Sequence, residues 1–109
     1  MSADFAPFVQ GNTRPYFAVQ ILSLIDRTPV DLTSATVAFY FRHVDSTSAV
    51  VSGASCVITD AANGKVQYQW AVNDLATPGT YIAEFRITFS DTTVQSVILT
   101  DIEVLEKLG

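Results

Sequence analysis

A β-sandwich of short strands is the fold this sequence predicts, and three observations predict it. Apolar residues recur with period two in almost every segment, so side chains alternate between two faces. Clusters of Asp, Asn, Pro, Gly, Ser and Thr interrupt the runs at the spacing of sandwich hairpins. One such cluster delivers a tyrosine to the start of a long alternating strand. No segment carries apolar residues at i, i+3, i+4 and i+7 over a helix length. The expectation is an all-β chain, an immunoglobulin-like antiparallel β-sandwich of seven to eight strands, with a small closed barrel as the alternative. At 109 residues the chain is expected to form a single domain over 1–109, burying about 65% of its unfolded surface.

Phe5–Gln10 is the first predicted strand and opens on the apolar arm Phe5-Ala-Pro-Phe8. Residues 1–8 form a candidate docking arm, in which Phe5 and Phe8 either pack within the domain or reach a neighbour. Tyr16–Leu24 is the second strand, closed by the turn Asp26-Arg-Thr-Pro29. Asp31-Leu-Thr-Ser-Ala35 reads as a one-turn excursion between strands. Thr36–His43 places Val37, Phe39 and Phe41 on one face and Ala38, Tyr40 and Arg42 on the other. After the turn Asp45-Ser-Thr-Ser48 come two shorter strands, Val50–Gly53 and Ser55–Thr59. Asn63-Gly64 suits a tight turn with positive φ leading into Lys65–Trp70, where Val66, Tyr68 and Trp70 face inward. Tyr81–Phe89 turns Tyr81, Ala83, Phe85, Ile87 and Phe89 to one face. Ser90–Thr93 is the next turn, and Val94–Leu105 is long enough to hold a bulge near Thr100-Asp101, where the alternation is least clean.

The stretch Asn73-Asp-Leu-Ala-Thr-Pro-Gly-Thr-Tyr81 has the layout of a tyrosine corner, a buried phenol whose hydroxyl satisfies a backbone group upstream. Tyr81, Gly79, Trp70, Phe85 and Phe39 are accordingly the residues expected to carry the structure. The disulfide of antibody domains is missing: position 83, two residues after the corner tyrosine, is Ala rather than Cys.

Charged residues make up only 16% of the chain, against about 25% in typical domains. Twelve Thr and nine Ser take their place, and six basic residues against eleven acids leave a net charge of −5. A surface that tracks phosphates needs clustered Lys and Arg, so nucleic acid is not an expected partner. No run approaches the length of a membrane-spanning helix. Nor does Met-Ser-Ala-Asp-Phe resemble a signal peptide, so a soluble protein made in the cytoplasm is expected. Cys56 has no cysteine to pair with and sits at an apolar alternating position beside Ile58, as a small buried hydrophobe does.

The residues carry no visible catalytic chemistry, and neither a cofactor nor a metal is expected. His43, Asp45 and Ser46 are neighbours in one loop, whereas a triad assembles from separate elements around a strained nucleophile. His43 reads instead as a solvated loop residue. Asp26, Asp31, Asp45, Asp60, Asp74 and Asp91 fall in turns, where Asp bonds its own backbone. Asn73-Asp74 with Asp101 is the one grouping that could converge on a cation. Tyr16 and Tyr40 lie on outer faces, as candidates for a subunit interface or the rim of a carbohydrate site.

One longer pattern is more specific. Asp60-Ala-Ala-Asn-Gly-Lys-Val-Gln-Tyr-Gln-Trp70, Thr77-Pro-Gly-Thr-Tyr-Ile-Ala-Glu-Phe85 and Phe89-Ser-Asp91 together resemble the immunoglobulin-like N-terminal domain of tailed-phage baseplate upper proteins. The resemblance runs from about Phe8 to Val104 and takes in Gln10-Gly-Asn-Thr13 and Thr28-Pro-Val-Asp-Leu-Thr-Ser-Ala-Thr-Val37. It implies a non-enzymatic virion scaffold in a symmetric, multi-copy assembly with other virion proteins. In that family downstream segments carry receptor-binding parts. This sequence stops at Glu106-Lys-Leu-Gly109, so the expectation is a baseplate or tail adaptor. A capsid decoration protein of the same fold and a carbohydrate-binding adhesion module are the alternatives.

Overall fold

The computed structural model describes residues 7–23 and 25–108. Phe5, and Leu24 at the predicted end of the second strand, lie outside the described residues. The strands are β1 (Phe8–Val9), β2 (Phe17–Gln20), β3 (Thr36–His43), β4 (Val51–Ser55), β5 (Val57–Asp60), β6 (Lys65–Tyr68), β7 (Gly79–Thr88) and β8 (Val94–Leu105). A five-stranded sheet in the order β1-β8-β7-β3-β4 faces a three-stranded sheet in the order β2-β6-β5. The result is a β-sandwich of immunoglobulin-like character. One pairing departs from the antiparallel expectation: β1 runs parallel to β8, with Phe8 opposite Val104.

Alternation decides which face each strand buries. In the register of β3 against β7, Phe39 lies opposite Phe85, Val37 opposite Ile87 and Phe41 opposite Ala83, and all six are buried. Across the sandwich, Phe39 stacks on Tyr68 with ring centroids 4.3 Å apart, and Phe17 meets Phe85 edge-on at 5.5 Å. Offset and edge-on contacts of this kind add about 0.5–1.5 kcal/mol per pair to the burial of the rings. Phe8 belongs to the same core, 5.3 Å from Phe17 and 5.1 Å from Trp70. Of the two alternatives for Phe8, the structure shows packing within the domain, where its ring is 4% exposed. Trp70 is buried although β6 ends at Tyr68, because its indole N–H donates to the Pro15 carbonyl at 3.1 Å and holds the chain inward.

Three irregularities shape the strands. Opposite the single residue Ile82, β8 carries two residues, Thr100 and Asp101, and Asp101 has φ 62°, which is the bulge expected there. In β4 the extra residue is Gly53, with φ 79° between the partners of Phe39 and Tyr40. The predicted break near Ala54 is therefore absorbed within the ladder. The chain leaves the sheet one step later, at Cys56, whose amide donates to the Val37 carbonyl (2.9 Å) before β5 begins in the other sheet. In place of a two-residue hairpin, a 3-10 turn over Ala61–Asn63 precedes Gly64. A Cβ on Gly64 would lie 2.6 Å from the Ile21 carbonyl oxygen and 2.8 Å from that of Val30, so only glycine fits this approach.

Phe89 differs from expectation in degree. It lies beyond the end of β7, half-buried against the core.

Candidate docking surfaces

The corner forms as its residues dictate. The Tyr81 hydroxyl donates to the Thr77 carbonyl at 2.6 Å, and the ring, 1% exposed, stacks on Phe41 at 4.4 Å and 2°. Burial pushes the phenol above its ordinary pKa. Gly79 has φ 142°, and a Cβ there would lie 2.3 Å from His43 Nε2. His43 is thus a correction. Its half-buried ring sits edge-on to Tyr81 at 5.2 Å, and its Nδ1 accepts the Asp45 amide at 3.1 Å. It closes the β3 turn rather than standing in solvent.

The acids are committed to turns. Asp26, Asp31 and Asp91 each accept the amide and hydroxyl of the threonine two residues on, with hydroxyl contacts of 2.7, 2.6 and 2.5 Å. Those bonds hold all three carboxyls below the ordinary carboxylate range. Asp74 accepts the Tyr68 hydroxyl at 2.5 Å and the Ala71 amide at 2.8 Å, tying the end of β6 to the loop that follows. Asp60 accepts the Asn63 side-chain amide at 2.8 Å. Among the described residues no three His, Cys, Asp or Glu side chains gather closely enough to hold a metal ion. Burial pushes the Cys56 thiol up to about 12, so it is a thiol rather than a thiolate near neutral pH.

Part of the exposed apolar surface lies on the five-stranded sheet, at Val94, Ile98 and Leu105 of β8. On its outer face, adjacent rows run Tyr40, Glu84, Ile98 and Ala38, Arg86, Ser96. Arg86 lies over the Tyr40 ring at 4.2 Å, donates to its hydroxyl at 3.0 Å and pairs with Glu84 at 3.0 Å. One face of the ring is therefore covered by a guanidinium. Beside this cluster a shallow groove of about 320 Å³ is lined by Arg42, Thr47, Ile82 and Ile98. Ile98 and Val94 are 55% and 58% exposed on the same face. Tyr16, half-buried, is covered by Arg14 at 5.7 Å.

No helix of the described residues is long and apolar enough to cross a membrane. No curated protein matches the chain in a sequence comparison. The model of one family, the BppU N-terminal domain, matches residues 14–102, from the approach to β2 through the buried Ile102 of β8. Its span covers the corner, most of the core and the bulge, and the chain belongs to the family of baseplate upper protein N-terminal domains.

Proposed function

We propose that this chain is a non-enzymatic structural module of a tailed-phage virion, an immunoglobulin-like adaptor that docks into the tail or baseplate among other virion proteins in several copies. The family match over residues 14–102 carries this reading. The side chains support it, because three of the residues that could suggest chemistry have structural occupations. His43 closes a turn, Asp74 holds Tyr68, and Cys56 is a half-buried, protonated thiol. Sparse charge supports it too, since cores of protein interfaces are depleted of charged residues.

An electron cryo-microscopy map of the particle tests the reading by locating the sandwich. Density at repeated positions in the tail or baseplate is the expected result. Density on the capsid lattice would replace this reading with the decoration role. Specific glycan-array binding, with no ordered position in the particle, would replace it with the adhesion role.

A further inference from the structure

The open edge of β8 is the feature that the corner and the core leave unexplained. β8 is twelve residues long, yet β1 covers it only at Val104 and Leu105. From Val94 to Asp101 the side of the strand away from β7 has no strand partner among the described residues. The backbone register identifies which groups are free. The Phe89 amide donates to the Thr93 carbonyl at 2.9 Å, and the same register continues through Ile87–Gln95 and Phe85–Val97. In an antiparallel ladder these are the hydrogen-bonded pairs, so Val94, Ser96 and Ile98 turn their N–H and C=O groups away from β7. Sheet edges are usually guarded by lysine, proline or a very short strand. Val94-Gln-Ser-Val-Ile-Leu-Thr100 contains no proline and no charge.

We propose that this edge pairs with the same edge of a second copy of the chain, antiparallel about a two-fold axis at Ser96. Outward-turned residues must face one another across such a junction, which sets Ser96 against the partner's Ser96 and Val94 against the partner's Ile98. The sequence suits this register. The two exposed aliphatic side chains stand two residues either side of Ser96, so one pairing covers both and its symmetry mate covers the other two. The absence of charge brings no like charges together, although the whole chain carries −5. The two five-stranded sheets become one continuous sheet, and the Tyr40–Arg86 faces of both copies lie on the same side. This rests on the multi-copy role proposed above and specifies one contact within it.

Sedimentation velocity of the purified full chain over a concentration series tests it. A monomer–dimer equilibrium is expected. Ser96→Pro removes an outward amide while leaving the β7 ladder intact, and Ile98→Lys places a charge at the junction; each should weaken the dimer at least about tenfold. Circular dichroism should stay unchanged, and Ile98→Lys decides the matter if the proline variant fails to fold. In a Cys56→Ala background, Ser96→Cys should give a disulfide-linked dimer under mild oxidant, because Cα atoms of such a pair lie about 5.5 Å apart. Val94→Cys, facing the partner's Ile98, should remain uncrosslinked. A chain monomeric at every concentration would overturn the proposal, leaving the edge to another virion protein or to residues 1–6. A dimer that survives both edge variants, or one linked through Val94→Cys instead of Ser96→Cys, would also overturn it. The position in the particle is read from a map, so failure here leaves the tail assignment standing.

Discussion

Tyr81 and Gly79 show how two residues fix a corner. The phenol donates to Thr77 from a buried position, so Tyr81→Phe leaves the ring in place and orphans a carbonyl, a loss of about 1–2 kcal/mol. Chemical denaturation checks this, and an unchanged midpoint would show that the hydroxyl is not structural. Gly79→Ala places a methyl against His43 Nε2 on a backbone with φ 142°. It should cost about 1–3 kcal/mol. Combining it with His43→Ala removes the clash and keeps the backbone strain, so the double variant should be more stable than the sum of the single losses predicts. Strict additivity would mean that the two residues do not touch. Sequence reasoning reached the tyrosine because Pro-Gly before an alternating run is a local signal. It missed His43 because its packing depends on the pairing of β3 with β7, which no local pattern displays.

At the scale of elements, the same logic separates what could be read from what could not. Period two located all of the strands, and two of the three long ones, β3 and β8, have the predicted ends, while β7 runs Gly79–Thr88 where Tyr81–Phe89 was expected. Short strands were misjudged where a tertiary contact sets the boundary. Gly53 looked like a strand end and is a bulge, while β4 ends at Ser55, just before Cys56 donates to Val37. The β8 bulge was legible because Thr100-Asp101 breaks the alternation. With φ 62° at Asp101, Asp101→Val should cost about 1–2 kcal/mol and Asp101→Gly should be close to neutral. Thermal melts of the two variants check the pair; equal losses would place the strain elsewhere. The Asp-x-Thr turns give a pH signature. Asp26, Asp31 and Asp91 have folded pKa values below the ordinary 3.8. Their contribution is present in full above that value and is lost as pH falls through the lowered folded values. Asp31→Asn should flatten the acid limb of the urea midpoint plotted against pH. An unchanged limb would show that the Thr33 bonds do not persist in solution.

Over the whole molecule, eight aromatic rings from both sheets and the adjoining segments meet in one core, with no buried charged side chain among the described residues. Loops supply the part of this core that periodicity does not reveal, since Leu32 and Leu75 are buried outside any strand. The candidate surface was legible only in part. Tyr40 was placed correctly on the outer face by alternation, but its pairing with Arg86 depends on strands 46 residues apart in sequence. The aromatic core is thereby concentrated inside, and the β8 edge from Val94 to Asp101 has no strand partner among the described residues. The tail role predicts where the chain is found. Mass spectrometry of purified particles separated into heads and tails should recover it in the tail fraction, in a fixed ratio to the other tail proteins. Recovery with the heads alone, or in neither fraction, would contradict that role.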